Sequence, residues 1–147
     1  MDIAISRASM FDINEIYRIE KESFTTLWSK SLFLREVVSE GSLVLCAKEG
    51  KKMHGYICAM YIYDEAHITN LAVRRQSRRK GVATALMAEA ISILCENPMI
   101  AALSLEARVS NRAAIALYEK FGFSGLGVRP KYYSDGEDAL IMRRELN

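Results

Sequence analysis

The chain has 147 residues, 50% hydrophobic and 26% charged, and its 20 Lys and Arg against 18 Asp and Glu leave a net charge of +2. This excludes a disordered or fibrous chain and fits one globular domain, 1–147, able to bury a core without metal or disulfide staples. The charge balance is too even for a dedicated nucleic-acid or membrane-surface protein. No apolar run approaches the ~20 residues of a membrane helix, and Met1–Arg7 has no secretory h-region, so the cytoplasm is the expected compartment. Cys46, Cys58 and Cys95 lie in apolar stretches without metal-ligand spacing and are expected to be small core hydrophobes, with no metal and no disulfide.

Ile3–Arg7 alternates like a short strand. Ala8–Phe24 carries Phe11, Ile13, Ile16, Tyr17, Ile19 and Glu20 at helical spacing and predicts one helix, capped by Ser9 or Asp12. Ser29–Ser39 predicts a second helix, followed by Gly41. Ser42–Lys48, Met53–Tyr63 and Ala66–Val73 read as strands. Gly81–Glu96 is the clearest helix, with Leu86, Met87, Ala90, Ile91 and Leu94 in one stripe. Ala101–Ala107 reads as a strand and Asn111–Phe121 as a helix closed by Gly122. Gly127–Tyr133 and Glu137–Arg143 predict a hairpin turned at Ser134-Asp135-Gly136. The order β-α-α-β-β-β-α-β-α-β-β gives an α/β (α+β) mixed sheet with helices on both faces. The strands ending at Val73 and Ala107 then run parallel, and a ligand binds beyond their carboxyl ends.

Both strand ends carry unusual residues. Five of the seven residues from Arg74 to Lys80 are basic, and Gly81 follows at a strand-to-helix junction. A helix N-terminus offers free N–H groups and a favourable dipole, so Arg78, Arg79, Lys80, Gly81, Val82, Ala83 and Thr84 are read as a phosphate-binding turn. A solvated basic loop or a nucleic-acid patch is the competing reading. The run is neither a Walker loop nor a Rossmann fingerprint, and Gly122-x-x-Gly125-x-Gly127 follows a helix and is read as a turn.

At the other end, alternation places Ser104 and Glu106 opposite Leu103 and Leu105. A carboxylate at the end of a central strand is either paired or working as a base. Asn111 and Tyr118 are two helical turns apart and share a face; they read equally as an N-cap and a core aromatic. His67 is a strand histidine of the kind more often satisfied in a core than catalytic, and His54 is read as a turn residue. Tyr132 and Tyr133, as strand neighbours, point to opposite faces, which leaves one free for a substrate.

Arg78-Arg79-Lys80-Gly81-Val82-Ala83 resembles the Gln/Arg-x-x-Gly-x-Gly/Ala motif of the GNAT (Gcn5-related) N-acetyltransferases, and the order of elements is similar to that family's single-domain fold over essentially the whole chain. Leu103–Phe123 resembles the C-terminal half of bacterial RimI-type alanine N-acetyltransferases and of archaeal N-terminal acetyltransferases. The resemblance implies acetyl-CoA as co-substrate, its pyrophosphate on the Arg78–Thr84 turn, with no metal. It further implies Glu106 as proton acceptor, Asn111 as a coenzyme contact, Tyr118 as proton donor and His67 as a helper that holds a water with Glu106. The backbone near Leu71, Ala72 and Val73 would meet the oxyanion. Lys131–Ala139 resembles the tyrosine hairpin that covers a peptide N-terminus, and Glu22–Ser29, with Phe24 and Trp28, resembles the substrate-side linker, without the prolines common there. The implied activity is direct transfer of acetyl to a peptide α-amine, with the N-terminal alanine of ribosomal protein S18 as partner and no membrane or nucleic acid. Two alternatives stand beside it: a GNAT enzyme acting on lysine or a small amine, and a nucleic-acid-binding module built on Arg74–Lys80.

Overall fold

The computed structural model describes residues 2–146, and its N-terminal helical segment is broken where the sequence predicts continuity. After strand β1 (Ala4–Arg7), a 3-10 turn over Met10–Asp12 precedes helix α1 (Ile13–Ser23). Ser9 and Asp12 close a reciprocal capping box around that turn, and Lys48 holds the Asp12 carboxylate at 2.5 Å. Both cap candidates are therefore used, on the turn rather than on the helix proper. Helix α2 (Lys30–Val38) starts from Ser29, whose hydroxyl accepts the Leu32 N–H.

Strands β2 (Ser42–Glu49), β3 (Lys52–Ile62) and β4 (Glu65–Val73) form the expected meander, followed by α3 (Val82–Cys95), β5 (Ala102–Arg108) and α4 (Arg112–Lys120). The last two strands are β6 (Ser124–Arg129) and β7 (Ala139–Glu145). One mixed sheet has the order β1-β2-β3-β4-β5-β7-β6, and among the described residues only β4 and β5 pair in parallel. The helices α3 and α4 bury one face, with Leu86, Met87, Leu94 and Tyr118 against Leu45, Ile57, Leu103 and Leu105. On the other face α1 and α2 bury Ile16, Ile19 and Phe33 against Cys46, Tyr56 and Cys58.

Four expectations change. Gly125 and Gly127 are not a turn: both lie within β6, whose pairing with β7 shifts between them, a bulge that glycine tolerates. The Ser134-Asp135-Gly136 turn does not join two strands directly. It is the tip of a loop over 130–138, closed by Gly136 N–H to the Tyr133 carbonyl and Tyr133 N–H to the Glu137 carbonyl. His54 is not a turn residue; it is buried on β3 with Nδ1 2.6 Å from the Ser77 hydroxyl. Cys46 and Cys58 are buried as expected, whereas Cys95 ends α3 exposed.

Gly55 shows how tightly α3 meets the sheet. A Cβ there would stand 2.8 Å from the Ala72 carbonyl oxygen and 3.2–3.3 Å from Leu86 and Val82. Backbone cannot yield as a side-chain tip can, so Gly55→Val should cost about 1–3 kcal/mol or more, read as a lower urea midpoint at unchanged slope.

Candidate active site

The ladder between β4 and β5 covers only Glu65–Ile68 against Ala102–Leu105. Both strands continue, β4 to Val73 on β3 and β5 to Arg108 on β7, so the sheet divides between them. At the division, directly after the last residue paired with β5, β4 carries a bulge: Cys58 pairs with Asn70 and Ala59 with Ile68, leaving Thr69 extra. One extra residue inverts the alternation. Ala66 and Ile68 face α3, while Ala72 faces α1. By the same alternation His67 and Asn70, on either side of the bulge, both lie on the α1/α2 face. Ser104, Glu106 and Arg108 also lie there, since Leu103, Leu105 and Ala107 take the opposite face.

Polar side chains gather on that face. His67 Nε2 is 2.7 Å from Glu106 Oε2, and its Nδ1 is 2.9 Å from the Ser104 hydroxyl. Glu106 is therefore paired, by the residue expected to assist it. Glu20 of α1 is fully buried and accepts from the Tyr56 hydroxyl, from the Trp28 N–H at 3.0 Å and from Asn70 Nδ2 at 3.5 Å. Sequence reasoning counted Glu20 within the apolar stripe without drawing on its charge; a carboxylate at a core position of an amphipathic helix is the signal that could have found it. Trp28 packs on Phe33 at 5.2 Å, and Phe24 is partly exposed at the end of α1.

The loop over 130–138 roofs the cleft. Arg108 holds it, donating to Asp135 at 2.8 Å and Glu137 at 3.0 Å while its guanidinium lies 4.1 Å from the Tyr133 ring centre. The Glu137 carboxyl falls below its usual range because the Ser110 and Arg108 groups donate to it. Tyr132 and Tyr133 are not strand neighbours on opposite faces; they pack edge to face at 5.1 Å. Burial pushes both phenols up, and the negative charge of Glu106 adds to this. Across the mouth the hydroxyls of Thr26 and Ser134 meet, joining the α1–α2 loop to the roof.

Tyr118 comes from the other face. Burial pushes its phenol up to about 12, with the charge of Tyr133 as second cause, and its ring packs on Phe123 at 6.3 Å. Asn111, by contrast, is exposed and caps α4, its Oδ1 accepting the Ala114 N–H at 3.2 Å.

The basic turn leads into α3. Arg74 is committed to structure, donating to Glu15 and to the Met53 carbonyl, whereas Arg75, Arg78, Arg79 and Lys80 are exposed. Arg78 also donates to the Val73 carbonyl at 3.0 Å, on the part of β4 without a β5 partner. Gly81 caps α3 with φ +83°, no side chain caps the first turn, and a Cβ on Gly81 would meet nothing within 4 Å. The donors of Val82, Ala83 and Thr84 thus open onto space bordered by cations, which fits a phosphate group.

The model of the acetyltransferase (GNAT) family matches residues 13–123. A ribosomal protein bS18-alanine N-acetyltransferase of Escherichia coli (strain K12) is 37% identical over 141 residues, covering 94% of each chain. An N-alpha-acetyltransferase of Saccharolobus solfataricus is 31% identical over 157 residues, covering 99% of this chain and 94% of the relative. The crystal structure of the ribosomal-protein-S18-alanine N-acetyltransferase from Escherichia coli superimposes with a TM-score of 0.90 at 34% identity, covering 99% of this chain and 95% of that one.

The roof depends on one cation. Arg108→Gln keeps a polar chain but removes the charge shared by Asp135 and Glu137 and the contact with Tyr133; amide exchange across 131–137 should accelerate while the strands stay protected.

Proposed function

This chain belongs to the GNAT acetyltransferase family, and we propose that it transfers acetyl from acetyl-CoA directly to the α-amine of a protein N-terminus, the N-terminal alanine of ribosomal protein S18 in the cytoplasm. One observation carries this reading: the Glu106 carboxylate, fixed by His67 at 2.7 Å, stands where β4 and β5 divide, beneath a loop of two tyrosines. The named relatives support the substrate class.

The first-turn amides of α3, with Arg78, Arg79 and Lys80, hold the pyrophosphate, and Asn111 contacts the coenzyme from the start of α4. The thioester lies along the edge of Leu71, Ala72 and Val73, where a backbone N–H meets the oxyanion. The amine enters from the α1/α2 face between Phe24 and Trp28 on one side and Tyr132 and Tyr133 on the other. Glu106, one of whose oxygens is held by His67, takes its proton through a water, the nitrogen bonds to the carbonyl carbon, and the C–S bond breaks.

Tyr118 then faces the leaving thiolate. A phenol at about 12 is fully protonated at neutral pH, though it lies more than three units above a thiol at ~8.5. Tyr118 thus meets the thiolate as an O–H donor and is the group that supplies the leaving sulfur with its proton.

The amine's own acidity favours a chain end. An α-ammonium near ~8 is neutral in roughly a tenth of molecules at pH 7, whereas lysine near ~10.4 is neutral in fewer than about one in a thousand. One carboxylate acting through water suits the first task. With a peptide starting in alanine and carrying an internal lysine, acetyl should appear at the N-terminus alone. Equal incorporation into an N-terminally blocked twin would overturn the α-amine reading in favour of lysine or a small amine. Glu106→Gln should slow turnover by about 10²–10⁴-fold while acetyl-CoA still raises the melting temperature; wild-type turnover in that variant would remove Glu106 from the chemistry.

A further inference from the structure

Ser104 has no part in the scheme above, yet it completes the group around Glu106. It stands two residues before Glu106 on the same face of β5 and directly opposite His67 in the parallel register. One imidazole thereby spans both: Nε2 at 2.7 Å from the carboxylate, Nδ1 at 2.9 Å from the hydroxyl. On the other side of Ser104 the register places Arg143, whose guanidinium is committed to Glu65 at 2.8 Å and Glu145 at 2.6 Å. Among the described residues the Ser104 side chain has no hydrogen-bond partner other than His67.

We propose that Ser104 is a positioning residue for the base: it fixes the ring of His67, and through that ring the carboxylate of Glu106. This rests on the assignment of Glu106 as proton acceptor. A carboxylate must be met by an N–H and not by a ring lone pair, so Nε2 carries the proton and a neutral ring leaves Nδ1 as an acceptor. The Ser104 O–H donates to it. A hydroxyl is also an acceptor, so the contact survives if the ring takes a second proton and Nδ1 becomes a donor. Held at both nitrogens, the ring cannot turn, and Glu106 Oε2 stays occupied. The other carboxylate oxygen is left to face the amine or its water. Without the hydroxyl the ring keeps one anchor, and the carboxylate loses its fixed direction.

Ser104→Ala should lower kcat by roughly 3–30-fold with KM for acetyl-CoA unchanged, the scale on which small misplacements of a reacting group act. Ser104→Thr keeps the hydroxyl and should recover most of that loss. In a His67→Ala background Ser104→Ala should have no further effect, because the hydroxyl acts through the ring. Wild-type kcat in Ser104→Ala, or the same fold loss with and without His67, overturns the proposal. A second measurement stands apart from turnover: in the 15N spectrum of the imidazoles, Ser104→Ala should move the His67 Nδ1 signal to that of an unbonded acceptor while Nε2 stays protonated. An unmoved Nδ1 signal refutes the Ser104–His67 bond. Failure to acetylate any peptide N-terminus would instead refute the functional reading and leave this spectrum to decide the bond.

Discussion

The functional end of this molecule depends on a break in its own hydrogen bonding, the point after Ile68 and Leu105 where β4 and β5 stop pairing. Backbone donors and acceptors left inside a protein must find partners, so a divided sheet persists only if each half is held elsewhere. Here β3 holds β4 through Val73 and β7 holds β5 through Arg108. The unpaired edge is partly taken by Arg78, which donates to the Val73 carbonyl. What the break provides is an opening through the middle of a sheet, reached by helix α3 from one face and by Glu106 from the other. The bulge at Thr69 belongs to the same arrangement. It turns Asn70 and Ala72 toward α1 and leaves Ile68 facing α3, so one strand serves both cores on either side of the division.

The walls of the cleft are set by buried charge rather than by apolar packing alone. Glu20 is nearly inaccessible, and its three donors come from β3, β4 and the α1–α2 loop. A lone buried carboxylate would be costly, and three donors offset that cost only in one arrangement of the three segments. The group therefore acts as a locator for the loop that carries Trp28. Arg108 does the same for the opposite wall, binding Asp135 and Glu137 and stacking on Tyr133. The two walls meet at the Thr26 and Ser134 hydroxyls, a contact between neutral groups at the surface. Such a contact opens at small cost, while the charged anchors on either side keep each wall intact.

Periodicity made the element order and the parallel pair legible, because 3.6- and 2-residue patterns report which face is buried. It also placed Glu106 and Ser104 on the face away from Leu103 and Leu105, where the structure has them. It could not see the bulge at Thr69, since an extra residue in a strand leaves no local mark in a β-branched run, and so it could not tell that His67 and Asn70 share a face. The β6 glycines misled for a related reason: Gly125 and Gly127 signal a turn by composition, yet a bulge in an exposed edge strand uses the same freedom. Arg108 and Glu20 escaped notice because their partners lie up to 50 residues away, beyond any spacing rule. The N-cap reading of Asn111 is observed, and it puts this side chain at the exposed start of α4, while Tyr118 is buried against Phe123. Shared phase on a helix does not imply shared surroundings.

The charge layout supplies the last step. The exposed cations Arg75, Arg78, Arg79 and Lys80 lie in the turn that leads into α3, with Arg78 reaching the Ser23 hydroxyl of α1, and the carboxylate of Glu106 stands on the α1/α2 face. In the proposed reaction the cations of the turn attract the phosphate-bearing donor and Glu106 attracts the ammonium-bearing acceptor. On the reading proposed above, the two meet only through the opening between β4 and β5. The backbone edge there is neutral, and a thioester carbonyl needs little more than an N–H to polarise it. Asp135 and Glu137 of the roof compete little with Glu106 for the incoming ammonium in the proposed reaction, because both are already paired with Arg108. Pairing within the roof thereby discounts Asp135 and Glu137 as rivals to Glu106, the carboxylate that receives the amine in the proposed reaction.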